Sequence, residues 1–313
     1  MISHTAIGMG KAWLGAVALT VAALSPGAAA QAHAESQALY AVSVRVYTDP
    51  SYKGIEGSLY RVDPNTAAST LLAPLRLDGQ VSIGLDGIAI HPKTGVFYGI
   101  TAPSSASIPH SLVRVDPHNG NVSLVGDLGV SGSDLSFDGD GTLYVWIPAT
   151  SQVGKIDLKS GAVTKLGRAG SPAAEKGGFE IADGKAMIAG TGARGTLDRV
   201  DLETGALVSS VKLSGARYKE LINGLASSGR GAIFAVNTNG AAPALADLVR
   251  IDEKSGQVTT IGALPNDTDA LTFGPALEPE KSWDLDMWRA LSLAVLLAFL
   301  AGTAITAFFL RRR

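Results

Sequence analysis

This sequence of 313 residues predicts an all-β fold. The fold is a β-propeller of about five four-stranded blades, with six blades as the alternative. Three observations predict it. A short motif recurs five times at intervals of 41 to 53 residues, each copy opens a turn that is followed by a strand-like run, and the first and last strand-like segments complement each other. Periods of this size are typical of stacked supersecondary units.

Composition excludes several functional classes before any motif is considered. The chain has no cysteine, which excludes disulfides, thiolate zinc sites and cysteine nucleophiles. It has 26 Lys and Arg against 28 Asp and Glu, a formal net charge of −2. Because no excess of cations is available to neutralise phosphates, nucleic acid is not expected as a partner.

The N-terminal segment, residues 1–34, has the order of a secretory signal peptide. Lys11 is followed by an uncharged run over residues 12–24 and then by small-x-small sites that end at Ala30 and Ala34. This run is too short to cross a bilayer, which needs about 20 helical residues. We therefore expect cleavage after Ala34 or Ala30, with an uncleaved anchor as the alternative.

The body, residues 35–274, carries the repeat: an aliphatic residue, any residue, a cation, Val or Ile, and Asp. Each Asp opens a hairpin connection such as DPHNG, where the carboxylate can accept a backbone hydrogen bond and a Gly four residues later can take positive φ. The first copy has Ala67 in place of that Gly, so we expect its turn to be strained or different. These structural turn anchors are Asp63, Asp116, Asp157, Asp201 and Asp252.

A pair of strand-like runs precedes four of the anchors, which gives four short strands per unit. The body begins with a run at 39–44 that resembles the second strand of a blade, and it ends with a run at 269–273 that resembles a first strand. Joined, the two would complete a fifth blade and remove two exposed sheet edges. The pairs occupy residues 87–92 with 96–101, 134–139 with 142–147, 178–183 with 185–190, and 224–229 with 232–237.

The C-terminal part predicts a stalk at 275–289, a transmembrane helix at 290–310 and a cytoplasmic tail at 311–313. The segment 290–310 has no charged residue, Trp283 and Trp288 precede it, and three arginines follow it. Such a length matches a bilayer core, and arginines stay on the cytoplasmic side. We therefore expect a single-pass protein of the cytoplasmic membrane, with its body outside, in the periplasm or at the cell surface. The alternative is a buried core helix.

Two resemblances add to this interpretation. The apolar helix closed by an arginine cluster resembles the C-terminal sorting signals of bacterial surface proteins, of which the PEP-CTERM type is best known. Units such as LYRVDPNT resemble the "LYRVDPxTG" repeats of bacterial extracytoplasmic propellers, the group that includes YVTN-repeat, NHL-like and gluconolactonase-like proteins. The second resemblance covers residues 39–273 and implies a propeller, but no particular activity.

The candidate ligand-binding and metal residues stand at the starts of the predicted innermost strands, on the rim that carries the connections of variable length. Their oxygens could hold calcium, or the hydroxyls of a sugar or lactone. In gluconolactonase-like enzymes, acidic and amide residues at the channel mouth hold the catalytic metal. The alternative is that Asp-Gly and Asn-Gly only start strands. These residues are Asp86, Asp134, Asn223 and Asp269, with Gly177 at a further matching position.

The cation of each repeat has two interpretations, an anion-binding ring or a structural role. Because the third strand does not line the channel, we expect these side chains to pack between blades and to pair with carboxylates. The five cations are Arg61, Arg114, Lys155, Arg199 and Arg250.

Two functional hypotheses follow. The preferred one is a non-catalytic binding or scaffold module that uses its variable face, since no GxSxG elbow, phosphate loop or zinc-spaced histidine pair occurs. Residues 35–274 have 20 cations and 24 anions, a net charge of −4 that favours a protein or a neutral glycan as the ligand. The alternative is a cation-dependent hydrolase or lactonase with a metal-bound water as nucleophile.

Overall fold

The computed structural model describes residues 37–277, except 45–56, 106, 170–176, 190–194, 219–220, 230 and 242. The predicted signal peptide, transmembrane helix, tail and most of the stalk lie outside these described residues. Within them, regular structure is β-strand apart from one 3-10 turn, Pro148–Thr150. No helix in the described ranges has the length and apolar character needed to cross a bilayer.

The strands follow one another with short connections. They are β1 (Gln37–Ser43), β2 (Ser58–Val62), β3 (Ser69–Pro74), β4 (Arg76–Leu77), β5 (Val81–Ser82), β6 (Leu85–Ile90), β7 (Phe97–Thr101), β8 (Ser111–Val115), β9 (Asn121–Asp127), β10 (Leu135–Phe137), β11 (Leu143–Ile147), β12 (Gln152–Ile156), β13 (Val163–Lys165), β14 (Gly178–Ala182), β15 (Lys185–Ala189), β16 (Thr196–Asp201), β17 (Leu207–Lys212), β18 (Leu221–Ser227), β19 (Ile233–Thr238), β20 (Ala246–Ile251), β21 (Val258–Ala263) and β22 (Thr268–Pro275).

These strands form five sheets, and each sheet contains one four-stranded blade. Blade 1 has the order β22-β1-β2-β3, blade 2 is β6-β7-β8-β9, blade 3 is β10-β11-β12-β13, blade 4 is β14-β15-β16-β17, and blade 5 is β18-β19-β20-β21. The first strand of each blade contacts the first strands of both neighbouring blades, which closes a ring. The predicted five-bladed propeller is confirmed, and the described residues contain no sixth blade.

The clasp between the two chain ends is also confirmed. Strand β22 pairs antiparallel with β1, with Leu39 opposite Phe273 and Gln37 opposite Pro275. The Tyr40 hydroxyl fixes the last residues of this strand, because it donates to the Pro275 carbonyl at 2.8 Å and accepts from the Leu277 N–H at 3.0 Å. The facing edges of β1 and β22, which would otherwise be open, are thereby paired.

One apolar cluster fills each interface between neighbouring blades. The cluster between blades 5 and 1, for example, joins Phe234 and Leu248 to Leu39, Val62 and Leu271. Equivalent clusters lie between blades 1 and 2, 2 and 3, 3 and 4, and 4 and 5. Each blade therefore buries both of its faces, and the ring has no separate central core.

A row of residues directly opposite one another crosses every blade: a small residue, an aromatic ring, a cation and a hydroxyl. Blade 4 is the exception, with Glu180 and Met187 in the first two places. The rows are Thr272-Tyr40-Arg61-Thr70, Ala89-Tyr98-Arg114-Ser123, Ser136-Tyr144-Lys155-Thr164, Glu180-Met187-Arg199-Ser209 and Ala226-Phe234-Arg250-Thr259.

The turn between strands three and four has the same form in every blade. In blade 5, the Asp252 carboxylate accepts the Lys254 and Ser255 N–H groups, and the Gly256 N–H donates to the Asp252 carbonyl. Gly256 has a φ of 71°. Ala67 takes the equivalent conformation with a φ of 62°, so the first turn is not different in form but places an alanine in the left-handed region.

These turns also join neighbouring blades. The Arg76 N–H donates to the Gly120 carbonyl, and the Ser214 N–H donates to the Gly256 carbonyl, both at 3.0 Å. A Cβ at Gly256 would lie 2.0 Å from the Lys212 carbonyl oxygen of blade 4. Glycine is therefore needed here both for its φ and for the close approach of the adjacent blade.

The sequence did not predict strands β4 and β5. They form a small hairpin in the connection between blades 1 and 2, and β4 pairs in parallel with β9. This hairpin covers the outer edge of blade 2, which would otherwise expose unpaired backbone groups.

Candidate functional site: the channel mouth and the axial carboxyls

The antiparallel order within each blade gives the propeller two different rims. The variable rim carries the connections between blades and those between strands two and three. The turn rim carries the hairpins between strands one and two and the uniform turns between strands three and four. The first residues of the innermost strands lie at the variable rim, and Pro275, at the end of β22, lies at the turn rim.

Three of the four predicted ligand residues stand at equivalent places in the channel mouth. Asp86, Asn223 and Asp269 are each the extra residue of a β-bulge near the start of the innermost strand. Asn223 Nδ2 donates to Asp269 Oδ1 at 2.6 Å, so the structure brings these two together. Asp86 is fully buried and Asp269 nearly so. Bulges commonly redirect side chains at functional sites.

Asp134 differs from the position that the sequence indicated. The Trp146 N–H donates to the Asp134 carbonyl, and the Trp146 carbonyl accepts from the Ser133 N–H. This register makes Ser133 the residue equivalent to Asp86, and it places Asp134 one residue deeper in the channel. The Ser133 hydroxyl donates to the Gly177 carbonyl at 3.1 Å, so the mouth has a serine where an aspartate was expected.

Asp134 belongs to the ring where the innermost strands approach most closely. The equivalent residues in the other blades are Gly87, Gly178, Gly224 and Ala270. A Cβ at Gly178 would lie 2.6 Å from the Gly224 carbonyl carbon, which explains why most members of the ring have no side chain. Asp134 is the one large side chain at this level, and it is fully buried.

The Asp134 carboxyl accepts hydrogen bonds from the inner edges of three strands in the channel. Its Oδ1 accepts the Leu135 N–H at 2.9 Å, and its Oδ2 accepts the Phe179 N–H at 2.9 Å and the Leu225 N–H at 3.3 Å. These donors belong to blades 3, 4 and 5. One carboxyl therefore replaces the water that the inner edges of these strands would otherwise need.

A second carboxyl, Glu180, lies two residues further along the channel. Its Oε1 accepts the Ser227 N–H at 3.1 Å, and its Oε2 accepts from the Ser136 hydroxyl at 3.0 Å. The Ser136 hydroxyl oxygen in turn accepts the Ile181 N–H at 3.0 Å. Glu180 was not among the site residues predicted from the sequence. The departure of this blade from the repeat was a possible signal. In the row that crosses each blade, Glu180 takes the place of the small residue and Met187 takes the place of the aromatic ring.

Burial controls the ionisation of both carboxyls. Removal from water raises the pKa of Asp134 well above its ordinary value, although three backbone N–H groups oppose the shift and the nearby Glu180 adds to it. Burial also raises the pKa of Glu180 to about 8, against the opposing effect of the hydrogen bonds from Ser227 and Ser136. With a pKa of about 8, Glu180 is mostly in its neutral, protonated form near neutral pH.

The geometry of a shared metal site is not found in the described residues. There, no three Asp, Glu or His side chains converge on one point as ligands. Asn223 and Asp269 contact each other at the mouth, while Asp134 is occupied by backbone donors in the layer below. Calcium binding therefore stays a prediction from the sequence.

The cations of the repeat lie opposite aromatic or methionine side chains of their own blade. Arg114 lies 5.6 Å from the centre of the Tyr98 ring. Arg199 pairs with Glu253 of the next blade, as expected for a cation between blades. The other four cations have no carboxylate partner among the described residues, so pairing with acids is not general.

Comparisons with known proteins give structural likenesses only. No family model matches the chain, and no curated protein matches it. A glutaminyl cyclase from Myxococcus xanthus is similar at 16% identity over 58% of this chain and 70% of that chain, with a TM-score of 0.41. A chain of a nidogen/laminin complex has 9% identity over 76% and 98%, with a TM-score of 0.47. A protein of unknown function from Bacteroides caccae has 14% identity over 76% and 99%, with a TM-score of 0.46.

Proposed function

We propose that this chain is a membrane-anchored extracytoplasmic β-propeller that acts as a non-catalytic binding or scaffold module through its variable rim. The observation that carries the proposal is the placement of the chain ends. Gln37 and Pro275 are paired on the turn rim, so the predicted stalk and membrane helix would continue from that rim. The variable rim is on the opposite side of the ring and would face away from the membrane.

The filled channel supports a binding role over catalysis along the axis. Asp134 and Glu180 use their oxygens to accept hydrogen bonds from the N–H groups of strand edges and from the Ser136 hydroxyl, so both carboxyls serve the strands that line the channel. A general base has to be within hydrogen-bond reach of the proton it abstracts. The variable rim instead offers connections of differing length around a polar mouth, a common arrangement for recognition by loops on a rigid scaffold.

The ligand we propose is a protein or a neutral glycan. The mouth offers the amide of Asn223, which can donate and accept, beside the carboxyl group of Asp269. Amide and carboxylate groups recognise hydroxyls and backbone amides. The net negative charge of the body disfavours strong attraction to anionic polymers.

The absence of cysteine makes a topology experiment direct. In the full chain, Leu245→Cys on the variable rim should react with a membrane-impermeant maleimide in intact spheroplasts. Arg312→Cys should react only after lysis. Leu245 is 53% exposed, so the thiol is accessible. Protection of the Leu245→Cys thiol in intact spheroplasts would contradict an outside-facing body.

The binding role is tested separately by photo-crosslinking in intact cells. A benzophenone amino acid at Leu245 should give defined crosslinked products, whereas the same group at Lys159 on the turn rim should give few. Both positions are exposed. Equal products from the two rims, or none from Leu245, would contradict recognition through the variable rim.

A further inference from the structure

The outer part of blade 5 contains a cavity beside strands β20 and β21. Its volume is about 500 Å³, it is open to solvent, and it is lined by Gly231, Ala232, Ile251 and the exposed residues Arg250, Asp252, Ser255, Gln257 and Thr259. Ligand pockets commonly have volumes of about 300 to 1,000 Å³. The cavity lies near the turn rim and is separate from the channel mouth.

The cavity is on the face of blade 5 that packs against blade 1. Arg250 lies directly opposite Phe234 in the adjacent strand, so both side chains are on that face. Phe234 packs with Phe273 of blade 1, with ring centres 5.5 Å apart. Arg250 itself is exposed, and the described residues supply it with no hydrogen-bond or ion-pair partner.

The equivalent place in the preceding blade shows what this arginine accepts. Arg199 of blade 4 occupies the same row position, and it pairs with Glu253, the residue after the turn aspartate of blade 5. The residue after the turn aspartate of blade 1 is Pro64, which has no carboxylate. The protein thus supplies a carboxylate to Arg199 but none from this position to Arg250.

We infer that the cavity beside Arg250 is a binding site for a small hydroxylated carboxylate, of the sugar-acid class. The guanidinium takes the ligand carboxylate in the role that Glu253 has toward Arg199. The Ser255 hydroxyl, the Gln257 amide and the Thr259 hydroxyl surround it and suit ligand hydroxyls. This site does not depend on the proposed recognition through the variable rim.

The one acidic residue of the described lining, Asp252, favours hydroxyl groups on the ligand. Asp252 accepts the Lys254 and Ser255 N–H groups and the Ser255 hydroxyl through Oδ1, which leaves Oδ2 for a donor. These hydrogen bonds lower the pKa of Asp252, so it is ionised and can only accept. A ligand with a carboxylate at one end and hydroxyls at the other satisfies both Arg250 and Asp252.

The test is calorimetric titration of the full chain in detergent with galacturonate, and with galactose as the neutral probe. We expect galacturonate to bind about tenfold or more tightly than galactose, because a charge-assisted hydrogen bond is lost with the neutral sugar. Arg250→Gln should weaken galacturonate binding by about tenfold or more. Arg61→Gln, at the same row position of blade 1, should leave it unchanged.

Three outcomes would overturn the inference: no galacturonate binding, equal binding of galactose, or unchanged binding in Arg250→Gln. A second variant tests whether the ligand carboxylate takes the place that Glu253 has in the preceding blade. Pro64→Glu should place a carboxylate where Glu253 lies in the preceding blade, raise the thermal midpoint and weaken galacturonate binding. An unchanged midpoint together with unchanged binding would also contradict the inference.

Discussion

At the scale of single residues, the two axial carboxyls show how the propeller satisfies the inner edges of its strands. The innermost strands approach so closely that glycine or alanine occupies four of the five ring positions. Asp134 at the fifth position then reaches the N–H groups of three blades. A buried backbone N–H without a partner is costly, so this side chain has a structural role in the centre of the ring.

The first prediction concerns Asp134. Asp134→Ala should fold, since Ala270 occupies the equivalent position, but it leaves the N–H groups of Phe179 and Leu225 without their acceptor. We expect the free energy of unfolding, measured in urea, to fall by about 2 kcal/mol. Asp127→Ala is the control: this exposed carboxylate also accepts a backbone N–H, from Gly129. A loss in the control as large as in Asp134→Ala would contradict the role of burial.

The second prediction concerns pH. The ordinary pKa of Glu180 is 4.5, and burial raises it to about 8 in the folded protein. The folded state therefore holds this proton more tightly, so the stability it contributes is complete below pH 4.5 and is lost as the pH rises through about 8. The dependence is about 1.4 kcal/mol per pH unit for one proton.

Glu180→Gln keeps the shape of the side chain and removes this proton. In urea unfolding at about pH 5, 7 and 9, the free energy of unfolding should decrease less steeply with pH in this variant than in the parent protein. Glu203→Gln, an exposed change in a turn, should keep the parent slope. Identical slopes in Glu180→Gln and the parent would show that Glu180 is ionised in the folded protein.

At the scale of elements, each uniform turn has two structural roles. Each begins with an aspartate that accepts backbone N–H groups, and its last residue approaches the preceding blade. The hydrogen bonds from backbone N–H groups lower the pKa of Asp63, Asp201 and Asp252. The stability from these three groups is therefore present at neutral pH and is lost as the pH falls through their lowered pKa values.

The third prediction separates the two requirements on a turn glycine. Gly256 and Gly184 have φ values of 71° and 69°, but a Cβ at Gly256 would meet the Lys212 carbonyl oxygen, whereas nothing lies within 4 Å of one at Gly184. We expect Gly184→Ala to lower the free energy of unfolding by about 1 kcal/mol and Gly256→Ala by about 3 kcal/mol or more. Thermal unfolding of both variants measures the difference. Equal losses would mean that the blades do not meet at this turn.

The elements also show what the sequence could and could not predict. The aspartate of each turn and the alternating runs around it predicted the strands, because turn chemistry is local. The position of Asp134 was not predictable in this way. An aspartate at the start of a strand has the same appearance one residue earlier or later, and only the pairing with Trp146 fixes the register. The β4 and β5 hairpin was missed because its strands have two residues each.

At the scale of the whole molecule, stability depends on closure of the ring. The apolar clusters lie between blades, so each blade needs both neighbours to bury its faces. The complementary first and last runs predicted this closure from sequence, since each lacked the strands that the other supplied. The filling of the channel was not predictable, because it depends on how five strands from distant parts of the chain approach one axis.

The fourth prediction tests closure. Leu271 in β22 is 1% exposed and packs between blades 5 and 1. Leu271→Ala should lower the free energy of unfolding by about 2 to 5 kcal/mol while the transition stays cooperative. Coincidence of the circular dichroism and tryptophan fluorescence transitions checks this. Leu207→Ala, at a position that is 59% exposed, should change little. Separate transitions in Leu271→Ala would show that the blades unfold independently.

The pairing of β22 with β1 also sets the order of events during synthesis. Strand β1 is synthesised first, but it pairs with β22, which is synthesised last, after all the other blades. Blade 1 is therefore complete only when residues up to Pro275 have been made. A product that ends early, in blade 5 for example, keeps the edge of β1 open and lacks one strand of blade 1. A closed ring can therefore form only after the entire body has been translated.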